Sequence, residues 1–165
     1  KLSLSLFDQL RDLHQLDSGD RRLLLAASIL HDIGGFIGHK RHHKHALYII
    51  SHSELPGLSQ NDMLMVANVA RYHRKNIPRK HHQDFMSLSE ADRERASLLS
   101  AILRVADALD RSHLQSVHSV QVTLQGKEIS LQLDGESDLL LERWAVSRKM
   151  NLLEKVSGRK VSISF

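Results

Sequence analysis

Two side chains that are costly to bury, His31 and Asp32, stand next to each other at the end of the apolar run LLLAASIL. Glycines follow at positions 34 and 35, so a helix over this run delivers an imidazole and a carboxylate into a turn. Burial of both groups costs several kcal/mol unless a metal, a proton or another partner satisfies them. The pair therefore indicates a site for a divalent ion, because imidazole and carboxylate are both metal ligands.

Asp107 is a further carboxylate in an apolar setting, because the run AILRVADALD leaves it almost no polar face. Carboxylates in such positions are rarely buried without a partner. The predicted partners are Arg104, Arg111 or a divalent metal. A salt bridge between helices is the alternative that requires no function.

Two histidines, His45 and His73, complete the predicted metal site. His45 begins the third predicted helix and His73 ends the fourth, so helices two to five each bring ligands to a common centre. Taken alone, each histidine is more typical of a helix cap or a surface residue. Imidazole and carboxylate together suit manganese, iron, zinc, cobalt or magnesium ions. The predicted ligands are His31, Asp32, His45, His73 and Asp107.

Basic residues and histidines are concentrated in the first half of the chain. Residues 1–82 carry 12 Lys and Arg against 7 Asp and Glu, whereas the whole chain has a net charge of +4. The densest segments are HKRHHKH (39–45) and RYHRKNIPRKHH (71–82). Such clusters attract phosphates, polyphosphate or nucleic acid, and a solvated surface loop is the alternative. Aromatic residues make up only 4% of the chain, which disfavours nucleic acid because single-strand recognition relies on stacking.

The composition is that of a folded, non-membrane protein. Of the 165 residues, 41% are hydrophobic and 25% are charged, which is ordinary for a globular domain. No apolar stretch approaches the roughly 20 residues that a membrane span needs. The chain has no cysteine, so it forms neither disulfides nor thiolate metal sites. This fits a reducing compartment, and we predict a cytoplasmic location.

The sequence predicts a mainly α fold, with five helices followed by a ββαβ segment. Apolar residues recur at helical spacing in the first part and alternate on both sides of a turn at Gly126 and Lys127. The predicted helices cover residues 2–16, 20–33, 45–51, 59–72 and 89–111, followed by a hairpin over 117–133, a helix over 138–156 and a strand over 161–165. We therefore predict a helical domain over 1–116 and a small α+β subdomain over 117–165.

Several motifs in a fixed order resemble a known family. The HDIGG segment, a later histidine and an aspartate in a late apolar helix resemble the HD superfamily of metal-dependent phosphohydrolases. More closely, the motifs LFDQL, LHDIGGFIGHKRHHKHALYII, LPGLS, RYHRK and LRVADALDRSH resemble the C-terminal region of the exopolyphosphatase / guanosine pentaphosphate phosphohydrolase family. This resemblance runs over the whole chain. It implies an HD-domain-like helical bundle followed by the small ββαβ subdomain.

The resemblance implies a binding role for this chain. In that family the phosphatase chemistry resides in N-terminal actin-like domains, and the C-terminal helical domain helps to guide polyphosphate. The implied partners are polyphosphate or guanosine pentaphosphate, the actin-like domains of a parent chain, and a second copy in a homodimer. Arginine forks onto phosphate oxygens and lysine acts as a point charge. The predicted phosphate-binding residues are Lys40, Arg41, His42, His43, Lys44, Arg71, Arg74 and Lys75.

The chain departs from an active HD site in two ways. Its only histidine upstream of the His-Asp pair is His14, which stands close to that pair in sequence. It also has Gly35 where many active HD enzymes have a lysine. We therefore predict a phosphoanion-binding domain with a vestigial metal site, and we assign no catalytic residue. The alternative is an autonomous HD-type phosphohydrolase acting on nucleotides or phosphate esters, in which a metal-bound water attacks phosphorus.

Overall fold

A computed structural model describes residues 1–136 and 138–164. In this part of the chain helices dominate and a small sheet lies near the C-terminal end, which confirms the predicted fold class. The helices are α1 (Leu2–Gln9), α2 (Arg11–His14), α3 (Ser18–Leu30), α4 (His42–Ser51), α5 (Gln60–Arg71), α6 (Gln83–Met86), α7 (Glu90–Leu109), α8 (Leu140–Lys149) and α9 (Asn151–Ser157), and the strands are β1 (Val117–Gln125), β2 (Glu128–Gly135) and β3 (Lys160–Ser164). None of the described helices has the length and apolar character that crossing a membrane requires.

Side-chain caps fix the start of three helices. Asp17 accepts a hydrogen bond from the backbone N–H of Asp20, and Ser59 does the same for Asp62, each completing a reciprocal capping box. Ser89 caps the long helix α7 through the N–H of Asp92. These caps satisfy N–H groups that have no partner within the helix. They therefore stabilise the N-terminal ends of α3, α5 and α7.

Two predicted helices are each divided into two. The first is interrupted at Leu10, whose backbone is no longer α-helical although its side chain is buried. The second is interrupted at Met150, between α8 and α9. The segment between the fourth and fifth predicted helices contains α6, which places Phe85 in the core. In the predicted last strand, Phe165 lies outside the described residues.

Helix α4 begins three residues earlier than predicted, at His42 instead of His45. Its N-cap residue is Arg41, which has a positive φ of 65° and makes no side-chain capping bond. The helix start thus carries none of the usual capping residues. As a consequence, His42 lies in the first turn of α4.

The sheet has the order β1-β2-β3. Strands β1 and β2 form an antiparallel hairpin, and β3 pairs with β2 in the parallel sense after the helices α8 and α9. Gly158 ends α9 with a φ of 65°, a left-handed conformation that favours glycine. The side chains of Ile129, Leu131 and Leu133 in β2 are buried in the core that the sheet shares with the helices.

One hydrophobic core runs through the described residues, and α7 contributes more buried side chains to it than any other element. The core includes residues on both sides of the predicted boundary at 116 and 117. In addition, the side chain of Gln9 donates to the carbonyl of Val120 at 2.8 Å and accepts from the N–H of Val122 at 2.8 Å. The helical part and the sheet are therefore packed together, and the division into two domains stays a prediction.

Candidate metal centre

The turn that follows α3 brings His31 and Asp32 against the start of α4. It is a single turn of 3-10 helix over Ile33–Phe36. A Cβ atom at Gly34 would overlap the carbonyl oxygen of His42 and would come within 2.5 Å of the backbone nitrogen of Ala46. Only glycine allows this close approach of the two backbones. Gly34 thereby places His42 opposite Asp32.

Three side chains from three elements meet at the resulting centre: Asp32, His42 and His73. Asp32 Oδ1 lies 3.2 Å from His42 Nε2 and 3.6 Å from His73 Nε2. The two Nε2 atoms lie 3.2 Å apart. Ligands about 2.1 Å from a tetrahedrally coordinated ion lie about 3.4 Å from one another. The spacing of this metal-ligand trio therefore fits a small divalent cation.

Backbone carbonyls orient the imidazoles. The Nδ1 atoms of His31, His42 and His73 lie within hydrogen-bond distance of carbonyl oxygens, at 2.8, 3.2 and 2.5 Å. Because a carbonyl only accepts, these bonds place a proton on Nδ1 of each ring, so the neutral form of His73 keeps the lone pair of Nε2. The Nε2 atoms face the centre, as metal-binding histidines with such outer partners do. The accepting carbonyls belong to Ser28, His39 and Ala70.

His73 is held in its neutral form by its position. Its side chain is only 1% exposed, and burial lowers its pKa to about 4. A neutral imidazole is the form that binds a metal ion. Neutral His73 therefore offers the lone pair of its Nε2 atom to a cation placed between it, Asp32 and His42.

His31 and Asp107 lie next to the trio. His31 Nε2 is 3.4 Å from Asp32 Oδ2 and 3.6 Å from Asp107 Oδ1. The other oxygen of Asp107 accepts a hydrogen bond from the ammonium group of Lys149. Among the described residues, neither of the predicted arginine partners forms an ion pair with Asp107.

The charges of these groups stabilise one another. Burial would raise the pKa of Asp107, but the hydrogen bond from His31 and the charge of Lys149 lower it well below its usual range. Burial would likewise lower the pKa of His31, but Asp107 and Asp32 outweigh that effect and raise it. Asp107 is thus a carboxylate at neutral pH, paired on both oxygens.

A cavity of about 310 Å³ opens beside the trio. Its wall contains three cationic side chains, and Arg74 lies 3.3 Å from the Nδ1 atom of His42. Positive groups around a concave site attract anions. The lining residues are Asp32, Gly35, His39, His42, His73, Arg74, Asp107, Arg111, His113 and Lys149.

Buried Arg104 fixes the segment that carries His73 and Arg74. Its guanidinium donates to the carbonyl of Tyr72 at 2.9 Å and to the carbonyl of Lys75 at 3.3 Å. It also donates to the carbonyl of Lys149 at 3.5 Å. One side chain of α7 therefore holds together the end of α5 and the end of α8.

Four of the five predicted metal ligands come together: His31, Asp32, His73 and Asp107 lie around this centre. His45 is half-buried on α4 and is not part of the trio. The imidazole from α4 in the trio belongs to His42, which the sequence analysis predicts to bind phosphate.

The predicted phosphate-binding residues divide into three groups: two line the cavity, four are exposed away from it, and two are buried or half-buried outside it. His42 and Arg74 line the cavity, whereas Lys40, Arg41, Lys44 and Lys75 are exposed. His43 is buried, and Arg71 is half-buried and pairs with Asp84 at 3.3 Å. Two further cations of the cavity wall, Arg111 and Lys149, are not among the predicted phosphate-binding residues.

The two basic segments also influence each other. Burial, together with the charges of Lys75, Arg74 and Arg71, lowers the pKa of His43 to about 4. Contacts of His42 with His73 and Arg74 also join segments 39–45 and 71–82, whose exposed cations are called the basic surface below.

Comparisons with known proteins agree with this picture of the chain. Residues 1–153 match the family model of the Ppx/GppA phosphatase, domain III. A guanosine-5'-triphosphate,3'-diphosphate pyrophosphatase of Pseudoalteromonas translucida (strain TAC 125) is 31% identical over 115 residues, which are 69% of this chain and 22% of that protein. The protein of the same name from Vibrio vulnificus (strain YJ016) is 26% identical over 137 residues, 82% of this chain and 27% of that protein.

The chain thus spans about a quarter of the length of these curated relatives. The family match covers nearly all of the helical part, the metal-ligand trio and most of the C-terminal segment. The chain belongs to the Ppx/GppA phosphatase family, as its domain III.

Proposed function

We propose that this domain binds phosphoanions in the cavity beside Asp32, His42 and His73, and that these three residues hold a divalent cation. The observation that carries the proposal is the combination of a spaced metal-ligand trio with three cationic side chains in one cavity wall. A phosphoanion needs several positive groups around it, and the cavity supplies them from different elements.

The residues of the cavity have distinct roles in this proposal. Arg74 and Arg111 donate to phosphate oxygens, and Lys149 contributes a point charge. The exposed cations of the basic surface attract a long anion toward the cavity. A divalent cation at the trio supplies further positive charge to the phosphate groups.

The ligand class follows from the family. The relatives are named as guanosine-5'-triphosphate,3'-diphosphate pyrophosphatases. We propose guanosine pentaphosphate or polyphosphate as the anion, and a cytoplasmic phosphatase with actin-like catalytic domains as the parent protein. In that protein this domain guides or retains the substrate, and a homodimer is the proposed assembly.

Isothermal titration with tripolyphosphate tests the anion site. Arg74→Ala and Arg111→Ala are each expected to weaken binding about tenfold, because each removes a charge-assisted hydrogen bond. Arg11→Ala is the matched control, since this exposed arginine of α2 does not line the cavity. Equal affinities in all four proteins would overturn the anion site.

An autonomous phosphohydrolase is the second candidate function. The geometric match of the trio to a small metal ion, with His31 beside it, favours this alternative. Against it stands the pairing of Asp107 with Lys149 and the presence of Gly35 in the cavity wall. Release of phosphate from nucleotides with Mn²⁺, abolished by Asp32→Asn, would establish this activity. Release that survives Asp32→Asn would come from a contaminant.

A further inference from the structure

We propose that Lys149 is a built-in cation that keeps Asp107 from binding a metal ion at the trio, and thereby holds the affinity of the centre for divalent ions low. This inference rests on the proposed metal site. It assigns Lys149 a second role, beside the point charge that it contributes to the proposed anion site.

The first observation is that both oxygens of the Asp107 carboxylate have partners. Oδ2 accepts from the ammonium of Lys149, and Oδ1 lies 3.6 Å from His31 Nε2. His31 in turn is 3.4 Å from Asp32, so a single imidazole separates Asp107 from the trio. Asp107 is therefore close enough to join the ligands after a side-chain movement, but both of its oxygens already have partners.

The second observation is that Lys149 is fixed in place. The side chains of Lys149 and Asp107 are 16% and 10% exposed, so the pair lies largely out of water. The backbone carbonyl of Lys149 accepts from Arg104, which stands one helical turn before Asp107 on α7. Side chain and backbone of Lys149 are thus both attached to the same helix.

The pairing of Asp107 with Lys149 makes it costly for a metal ion to recruit Asp107. A buried ion pair resists the removal of one partner, because the other charge is then left without compensation. A metal ion that recruited Asp107 would have to leave the Lys149 ammonium unpaired next to itself. Without Lys149, the same carboxylate is free to add its charge to the ligands, and ligand charge increases the affinity of a divalent site.

Titration with Mn²⁺ followed by calorimetry measures the effect directly. Lys149→Met is expected to lower the dissociation constant of Mn²⁺ about tenfold or more relative to the wild-type chain. In the Lys149→Met background, Asp107→Asn is expected to remove this gain. In the wild-type background, Asp107→Asn is expected to change the dissociation constant less than about threefold, because Asp107 is not a ligand there.

Arg111→Met is the matched control. Arg111 lines the same cavity, but among the described residues it forms no ion pair with Asp107. This variant removes the same unit of charge and is expected to tighten Mn²⁺ binding less than about threefold. Co²⁺ absorption adds an independent readout, because its visible bands change when the ligand set of the ion changes.

The outcomes separate the inference from the proposed metal site. Unchanged or weaker binding in Lys149→Met overturns the inference, as does a gain that survives Asp107→Asn or appears equally in Arg111→Met. If wild-type and Lys149→Met both fail to bind Mn²⁺, the metal site and the inference fall together. If Lys149→Met does not fold, Lys149→Gln replaces it. A loss of more than about tenfold in Asp107→Asn alone also overturns the inference, independently of any Lys149 variant.

Discussion

His42 and His73, which are 31 residues apart in sequence, face each other with their Nε2 atoms 3.2 Å apart. Asp32 lies within 3.6 Å of both nitrogens. All three atoms belong to groups that bind metal ions, and their mutual distances fit a small cation between them.

Replacement of Asp32 distinguishes the trio from its neighbours. Asp32→Asn is expected to weaken Mn²⁺ binding at least about a hundredfold, since it removes the charged ligand while keeping the shape of the side chain. His45→Ala is expected to change the affinity less than about twofold, because His45 is not part of the trio. Titration calorimetry on both variants checks this prediction. A stronger effect from His45→Ala than from Asp32→Asn would restore His45 as the ligand.

Substitution of the neighbouring glycines Gly34 and Gly35 by alanine is expected to have very different effects on stability. Gly34→Ala is expected to lower the free energy of unfolding by about 2–3 kcal/mol, because the added Cβ meets the backbone of α4. Gly35→Ala is expected to change it by less than about 0.5 kcal/mol, because a Cβ there meets nothing within 4 Å. Urea unfolding measures both values. Equal stability of the two variants would contradict the close approach of the turn to α4.

The exposed cations of the basic surface act on long anions only. Reversal of charge at Arg41 and Lys44 to glutamate is expected to weaken long-chain polyphosphate binding and to reduce its dependence on salt. The same double variant is expected to bind tripolyphosphate within about twofold of wild type, because neither residue lines the cavity. Titrations at two ionic strengths test both statements. Identical losses for the long and the short anion would mean that the cavity is not a separate site.

His82 makes the stability of the fold depend on pH. Its Nδ1 atom is 2.8 Å from the hydroxyl of Tyr72, and burial, followed by the charge of Arg71, lowers the pKa of His82. Below the unfolded-state pKa of about 6.5, the unfolded chain binds a proton that the folded chain does not. The contribution of His82 to stability is therefore full above that pH and is lost as the pH falls toward the folded-state pKa.

His82→Gln removes this dependence. At about pH 7.5 the variant is expected to be about 1 kcal/mol less stable than wild type, because the hydrogen bond with Tyr72 is weakened. The difference is expected to shrink as the pH falls toward about pH 5. Urea unfolding of the two proteins across this range isolates His82 from the other histidines, which both proteins share. A constant difference over the range would contradict the lowered pKa.

Local signals predicted much of the fold. Ser59 with Asp62, and the alternation on both sides of the turn at Gly126, correspond to a capping box and a hairpin in the structure. The breaks at Leu10 and Met150 could not be predicted in this way. The apolar periodicity continues across both positions, and neither proline nor glycine marks the break.

The candidate site was predictable only where a residue contrasts with its surroundings. Asp32 and Asp107 are carboxylates in or beside apolar runs, and that contrast indicates a need for partners. The start of α4 at His42 is hidden, because its N-cap is an arginine with positive φ inside a run of basic residues. Lys149 gives no local signal, since its partner lies 42 residues earlier in the chain.

A crystal grown with Mn²⁺ and without chelator shows directly whether the trio of Asp32, His42 and His73 holds a cation. The anomalous difference map is predicted to show a peak bounded by Asp32 Oδ1, His42 Nε2 and His73 Nε2. Lys149 is predicted to remain on Asp107 in the same crystal. An ordered trio with no anomalous peak, or a peak confined to other residues, would show that Asp32, His42 and His73 do not hold a metal ion.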